Sequence, residues 1–343
     1  MTKRYLGNII TQNPTAPAGP YEDSAASGVW SLAEAFAYSK AGLWPTAGRS
    51  QTAIYSGGGS PSATNIIQSF NLATTGNASD YGDLLGSLTA HTSFASSSRA
   101  VFAGGTNGAD RIEYVTISSS GNAADFGNLI TTGSYLLYPA GLSNSTRGIV
   151  AGGDNGDNQN IIQYITIATT GNATDFGDLD SPRDQFSAAA SPTRGLFFGG
   201  SGTGDKKTIQ YVTIATTSNT VDFGDFSTES WFNGSLSNST RAVTQLGTIT
   251  GSGYSSTMEY VTIATTGNST DFGDILTSSI RETAGTSSAT RGVFCGGELS
   301  STNNTNVIQQ ITIANTGNAT DFGDLLSSVS NGGATSSAHG GLA

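Results

Sequence analysis

The stretch Ile161-Ile162-Gln163-Tyr164-Ile165-Thr166-Ile167-Ala168-Thr169-Thr170-Gly171-Asn172-Ala173-Thr174-Asp175-Phe176-Gly177-Asp178 reads as two short strands around a tight turn. Its first half is β-branched, with apolar residues on both faces, so it predicts a strand covered on both sides. Thr170-Gly171-Asn172 supplies turn chemistry. Asp175-Phe176-Gly177-Asp178 then opens an outer strand. Upstream, Arg147-Gly148-Ile149-Val150-Ala151-Gly152-Gly153 is an apolar strand ending in paired glycines, and a polar loop joins it to Ile161. Downstream, residues 185–190 lead into Arg194 and predict an innermost strand.

The unit repeats. The tetrad Asp-aromatic-Gly-Asp begins at Asp80, Asp175, Asp222, Asp271 and Asp321, and a sixth copy, beginning at Asp125, ends in Asn128. Successive first residues are 45, 50, 47, 49 and 50 positions apart. Six four-stranded units at a period near 50 predict an all-β, six-bladed β-propeller over residues 49–343. The strand Thr52-Ala53-Ile54-Tyr55-Ser56-Gly57-Gly58 has no usual innermost strand before it. The tail from Thr335 to Gly341 matches the run from Thr286 to Gly292. The tail is therefore expected to supply the missing strand and to hide the sheet edges. The fifth glycine strand has lost a glycine (Gln245-Leu246-Gly247), which predicts a relaxed backbone approach there.

Composition agrees with short strands and many turns. Gly occurs 46 times in 343 residues, and only 11% of residues are charged. The formal net charge of -11 argues against binding a phosphate backbone, and Lys206-Lys207 is read as a solvated loop pair. Cys295 is the only cysteine, so no disulfide can form within the chain and it is expected as a buried small hydrophobe. No run is long enough to cross a membrane and none follows Met1 as a signal peptide would, which predicts synthesis in a cytoplasm.

The glycine pair, the Tyr-Val-Thr-Ile strand and the fourth-strand aromatic resemble Kelch repeats, with Phe or Tyr where Kelch units often carry Trp. More closely, Tyr260 to Asp274 and Thr290 to Gly297 look like the repeat of virion structural proteins of marine phages, cyanophages among them. The opening from Arg4 to Ala35 also looks like the start of such proteins. The resemblance implies a virion location, assembly in multiple copies or as a homo-oligomer, and a place on a tail fibre or appendage with host-surface glycan as a possible ligand. A capsid head decoration and a free carbohydrate-binding or glycan-active propeller are the alternatives.

Residues 1–48 do not share the repeat. Pro14, Pro17 and Pro20 predict extended chain. Ser31 and Glu34 form a capping-box pattern that predicts a helix from Leu32 to about Lys40, stopped by Gly42 and Pro45. Trp30, Leu32, Phe36, Tyr38 and Trp44 are the expected docking residues, against either the propeller or other virion proteins.

Most motifs that suggest a site in this chain fit a structural role better. Six periodic Asp-Phe-Gly copies without the other kinase elements are architecture. The paired tetrad acids offer too few oxygens for calcium and fit turn capping better. Arg99, Arg147, Arg194, Arg241 and Arg291 could recognise a sugar acid, but five copies at one position favour pairing with tetrad carboxylates of an adjoining strand. His91 and His339 are the only histidines, too few for a copper site, and no nucleophile elbow accompanies them. The Asn-x-Ser/Thr sequons, such as that at Asn172, are read as turns. Neither an enzyme nor a cofactor is expected. The loops 106–111, 154–160, 201–207 and 299–306 vary while the strands hold, so Asn107, Asp110, Asp154, Asn158, Lys206 and Asn303 are the candidate ligand residues.

Overall fold

A computed structural model describes residues 31–40, 51–59, 62–107, 110–131, 133–277, 279–300 and 303–342. The chain divides into two units, Met1–Ser50 and Gln51–Ala343. Within the first, the helix Leu32–Lys40 is present. The Ser31 amide and hydroxyl both donate to Glu34 Oε2, at 3.0 and 2.6 Å, and the Glu34 amide donates back to Ser31 Oγ at 3.2 Å. The capping box is therefore formed in both directions.

The second unit is all-β. It contains six four-stranded antiparallel sheets, called I to VI in chain order. Sheet II is typical: its strands Thr92–Ala95, Arg99–Ala103, Arg111–Thr116 and Ala124–Asn128 lie side by side in that order. Sheets III to VI repeat this plan, their innermost strands being Ala140–Ser143, Ser187–Ala190, Gly234–Ser237 and Ala284–Ser287. Sheet I takes Thr52–Ser56, Thr64–Asn71 and Ser79–Leu88 from the start of the unit and Gly333–Ser336 from its end. Ala53 pairs with Ser336 and Ser56 with Gly333, so the tail supplies the inner strand that the repeat lacked.

The hydrophobic core is divided in the same way. Among the described residues, one apolar cluster lies between each consecutive pair of sheets. Ile54 and Ile67 of sheet I pack with Phe102 and Val115 of sheet II, and the series ends where Val293 and Ile308 of sheet VI pack with Ala53 and Phe70 of sheet I. The middle strands are buried on both faces, as their sequence predicts. Each innermost strand contacts the next, and Gly333–Ser336 contacts both Ala284–Ser287 and Thr92–Ala95, so the series of sheets closes on itself.

Hydrogen bonds follow the same cycle. The Asn of each turn accepts from the backbone amide that ends the preceding tetrad: Asp83 donates to Asn122, Asn128 to Asn172, Asp178 to Asn219, Asp225 to Asn268 and Asp274 to Asn318. Asp324 of sheet VI donates to Asn77 of sheet I and completes the circle. The sequon asparagines are thus links between sheets, and more than the local turn chemistry expected of them. The tetrad glycine has the same cause. At Gly82 a Cβ would collide with the carbonyl of Gly121 in the next sheet's turn, and at Gly224 with that of Gly267.

The arginines also join sheets, but not through tetrad carboxylates. Arg99, Arg147 and Arg194 stack on Tyr114, Tyr164 and Tyr211 of their own sheets, 4.6, 4.2 and 4.3 Å from the ring centroids. Their Nη1 atoms donate to the carbonyls of Ile167, Ile214 and Ile263 in the following sheets. Arg241 does the same to Ile313, and Arg291 reaches Leu72 of sheet I. A carbonyl at a fixed backbone position is a partner every repeat offers in the same place, whereas the first acid of each tetrad is exposed to solvent. Sheet I has Thr52 at the arginine position. There the tetrad residue is Tyr81, whose hydroxyl donates to Thr116 O and Ser119 O of sheet II, at 2.6 and 2.7 Å. The one tetrad tyrosine stands in the one repeat without an arginine.

The lost glycine of sheet V is compensated rather than relaxed. In sheets I, II, III, IV and VI the second glycine donates its amide to a carbonyl of the segment leading to the next sheet, as Gly200 does to Ser230. In sheet V the fully buried Gln245 donates through Nε2 to Ile280 O, Leu246 O and Ser255 O. Leu246 stands where the first glycine is lost, and the amide of the retained second glycine, Gly247, turns to Asn233 Oδ1 at 3.1 Å, so the Gln245 side-chain amide makes the link to the next segment in its place.

Candidate ligand-binding face

Antiparallel pairing gives the second unit two unlike ends. One carries the Gly-Asn hairpins and the Arg–carbonyl links. The other carries the variable loops and the segments that enter each innermost strand.

At the hairpin end the tail seals the inner strands. Gly340, Gly341 and Leu342 form a buried 3-10 turn against Ala140–Ser143, Ser187–Ala190 and Gly234–Ser237. His339 Nδ1 accepts from the Gly341 amide, which leaves Nε2–H to donate to Ala95 O at 2.8 Å. His91, at the other end, holds Ser56 Oγ at 2.9 Å through Nε2, while its Nδ1 is buried with no partner. Burial pushes both imidazoles down to about 4, so both are neutral at physiological pH. Each histidine meets a serine hydroxyl (Ser56 or Ser143), but among the described residues no hydrogen bond joins either ring to a carboxylate that could orient it. Among the described residues no group of three or more His, Cys, Asp or Glu side chains could hold a metal ion, and no helix is long and apolar enough to cross a membrane. Cys295 is fully buried, which pushes its thiol up and keeps it protonated.

The loop end holds every candidate loop residue. Asn107 and Asp110 are exposed, and Asn107 has a φ of 59°. Asp154 Oδ1 accepts from the Gly156 amide at 2.6 Å, Asp154 bridges to Asn158, and Asn158 Nδ2 donates to Ser201 O in the next sheet's loop. Lys206 Nζ lies 4.8 Å over the ring of Trp231. Asn303 is exposed in a short strand paired with Glu298–Ser300. The structure joins Asp154 and Asn158 by a bridge, and it leaves Asn107 and Asp110, Lys206, and Asn303 in three other loops. Of the docking residues, Trp30 and Trp44 lie outside the described residues. Leu32 and Phe36 are on the helix, Phe36 with 68% of its surface exposed, and Tyr38 is half-buried.

Sequence reading missed the residues at the entrance to the inner strands. Ala90, Tyr138, Gln185, Phe232, Glu282 and Asn331 occupy equivalent positions, one before each inner strand, and all have φ between 54° and 60°. Their backbones are linked in turn: Tyr138 donates to Ala90, Gln185 to Tyr138, Phe232 to Gln185, Glu282 to Phe232, and Ala90 to Asn331. Spacing could have found five of them, because each lies nine residues before a repeated arginine. Residue type could not, because all six differ.

Tyr138 and Phe232 meet edge to face at 5.2 Å across the entrance. Asn331 Nδ2 donates to Glu282 Oε2 at 2.5 Å. Arg281 lies 4.6 Å from the centroid of Phe232 and 4.7 Å from that of Tyr254, and it pairs with Glu298 at 2.8 Å and Glu282 at 3.4 Å. Burial pushes Glu282 up to about 7 against the pull of Arg281, with Glu298 adding to the rise. Burial, with Asp154 adding, pushes Asp184 up to about 6. Behind the circlet, Asn233 and Thr283 line the same recess with His91. No protein-family model matches the chain, and no curated protein matches it.

Proposed function

We propose that the second unit is a six-bladed β-propeller and that the protein is a structural component of a phage particle, on a tail fibre or appendage, with adhesion to host-surface glycan as its binding role. The observation that carries the architecture is the closure of sheet VI onto sheet I by core packing, by Asp324–Asn77 and by Arg291–Leu72. Six sheets linked by one repeated set of bonds, with the last joined to the first, are what a closed propeller requires. The division between a uniform end and a varied end suits a scaffold that displays loops. The particle assignment rests on the resemblance of Tyr260 to Asp274 and Thr290 to Gly297 to phage virion repeats. On this reading residues 1–48, with Phe36 presented on their helix, attach the propeller to other virion proteins, and several copies assemble per particle.

Immunogold labelling of intact phage particles with an antibody against residues 49–343 tests the assignment. Label confined to the tail is the expected result. Label over the head would replace the adhesion role with decoration, and unlabelled particles would leave a free binding protein.

A further inference from the structure

Six residues hold positive φ at the entrance to the inner strands, and none is glycine. A side chain in that conformation costs roughly 1 kcal/mol or more, which glycine avoids. The chain uses glycine freely for the same conformation at the ends of the neighbouring strands, at Gly57, Gly104, Gly152, Gly199 and Gly296. Backbone strain retained at equivalent positions, with a different side chain at each, marks a surface kept for its side chains.

We propose that this entrance is a binding site for a neutral sugar residue, with Tyr138 and Phe232 packing on its apolar face and Gln185 and Asn331 bonding its hydroxyls, the buried Glu282 holding Asn331 in place. Aromatic rings with carboxamides converging on one recess are the groups that a polyhydroxylated ring with apolar C–H faces requires. Tyr138, Gln185, Phe232 and Asn331 all keep part of their surface open to solvent. The charge inventory selects against acids. Arg281, which stacks on Phe232 of the circlet, is engaged by Glu282 and Glu298, and Asp184 adds a further carboxyl, so a carboxylated or sulfated sugar would meet repulsion and an already paired guanidinium. Asn233 and Thr283 supply further polar groups below the circlet.

This deepens the adhesion reading and rests on it. Its test is made in solution, so it fails or succeeds independently of where the protein sits on a particle. Saturation-transfer NMR is recorded on the full chain with the methyl glycosides of glucose, galactose, mannose and N-acetylglucosamine, and with glucuronate and N-acetylneuraminate. Tyr138→Gly and Gln185→Gly each remove a side chain and relieve backbone strain, which offsets part of the lost packing, and a cooperative thermal transition above the assay temperature establishes that each variant is folded before transfer is compared. The expected result is transfer to at least one neutral glycoside, lost at least tenfold in Tyr138→Gly, reduced several-fold in Gln185→Gly, and unchanged in Asp271→Ala at the opposite end. Absence of transfer to every neutral glycoside would overturn the proposal, as would equal transfer in folded Tyr138→Gly or stronger transfer to the acidic sugars.

Discussion

The two ends of the sheets obey different rules. At the hairpin end the same residue types recur because each repeat must fit the next: an asparagine to accept an amide, a glycine to let a turn approach, an arginine to reach a carbonyl. At the loop end the backbone also recurs, down to the sign of φ, yet the side chains diverge. Repetition in this chain therefore records contact between sheets, and divergence marks surface that faces outward.

Several experiments would break or sharpen that contrast. Deleting residues 333–342 removes the inner strand of sheet I and the seal beneath it, and should abolish the single cooperative transition in calorimetry. A cooperative transition retained near the parent Tm would mean that closure by the tail is not needed. Gly224→Ala drives a Cβ into the Gly267 carbonyl of the next sheet and should cost about 2–4 kcal/mol in urea unfolding. The exposed Asp271→Ala should stay within about 0.5 kcal/mol. Equal effects would dissolve the distinction between linking and solvent-facing repeats. Tyr81→Phe should lose about 1 kcal/mol, and adding Thr52→Arg should recover most of it by installing the link that the other five sheets use. No recovery would mean that the tyrosine is not a substitute for the arginine.

The smallest effect concerns pH and the loop end. Glu282 is raised from 4.5 to about 7, so the folded protein holds its proton where the unfolded chain has released it. That contribution is greatest below pH 4.5 and is lost as pH rises to about 7. His91 and His339, lowered from 6.5 to about 4, act oppositely and reduce stability as pH falls between those values. Glu282→Gln should therefore flatten the decline of Tm above pH 6.5 and leave the loss in acid intact. An unchanged profile above pH 6.5 would show that Glu282 is ionised normally.

Much of this was legible in the sequence. Periodicity gave the strands, their order and the closing role of the tail, because those depend on local patterns repeated six times; the matching run from Thr335 to Gly341 overlaps the strand Gly333–Ser336 only at its end, and residues 340–342 form a 3-10 turn instead. The helix start at Ser31 and Glu34 was equally local. The partners of Arg99 to Arg291 were not legible. Their positions repeat, but a backbone carbonyl has no residue type to search for, and the tetrad carboxylates were the only visible counter-charges. Gln245 was opaque for a related reason: a buried amide replacing a backbone amide leaves no pattern of its own. The entrance residues escaped because the property they share is a dihedral angle.

The closing strand also sets a schedule for biosynthesis. Ser56 and the Gly333 that pairs with it are 277 residues apart. At roughly 5–20 residues per second a ribosome takes on the order of 15–55 seconds to cover that distance. Through that interval the nascent chain carries sheet I with an open edge and two terminal core faces facing water. Translation rate therefore sets how long this one edge stays open to pairing with a neighbouring chain.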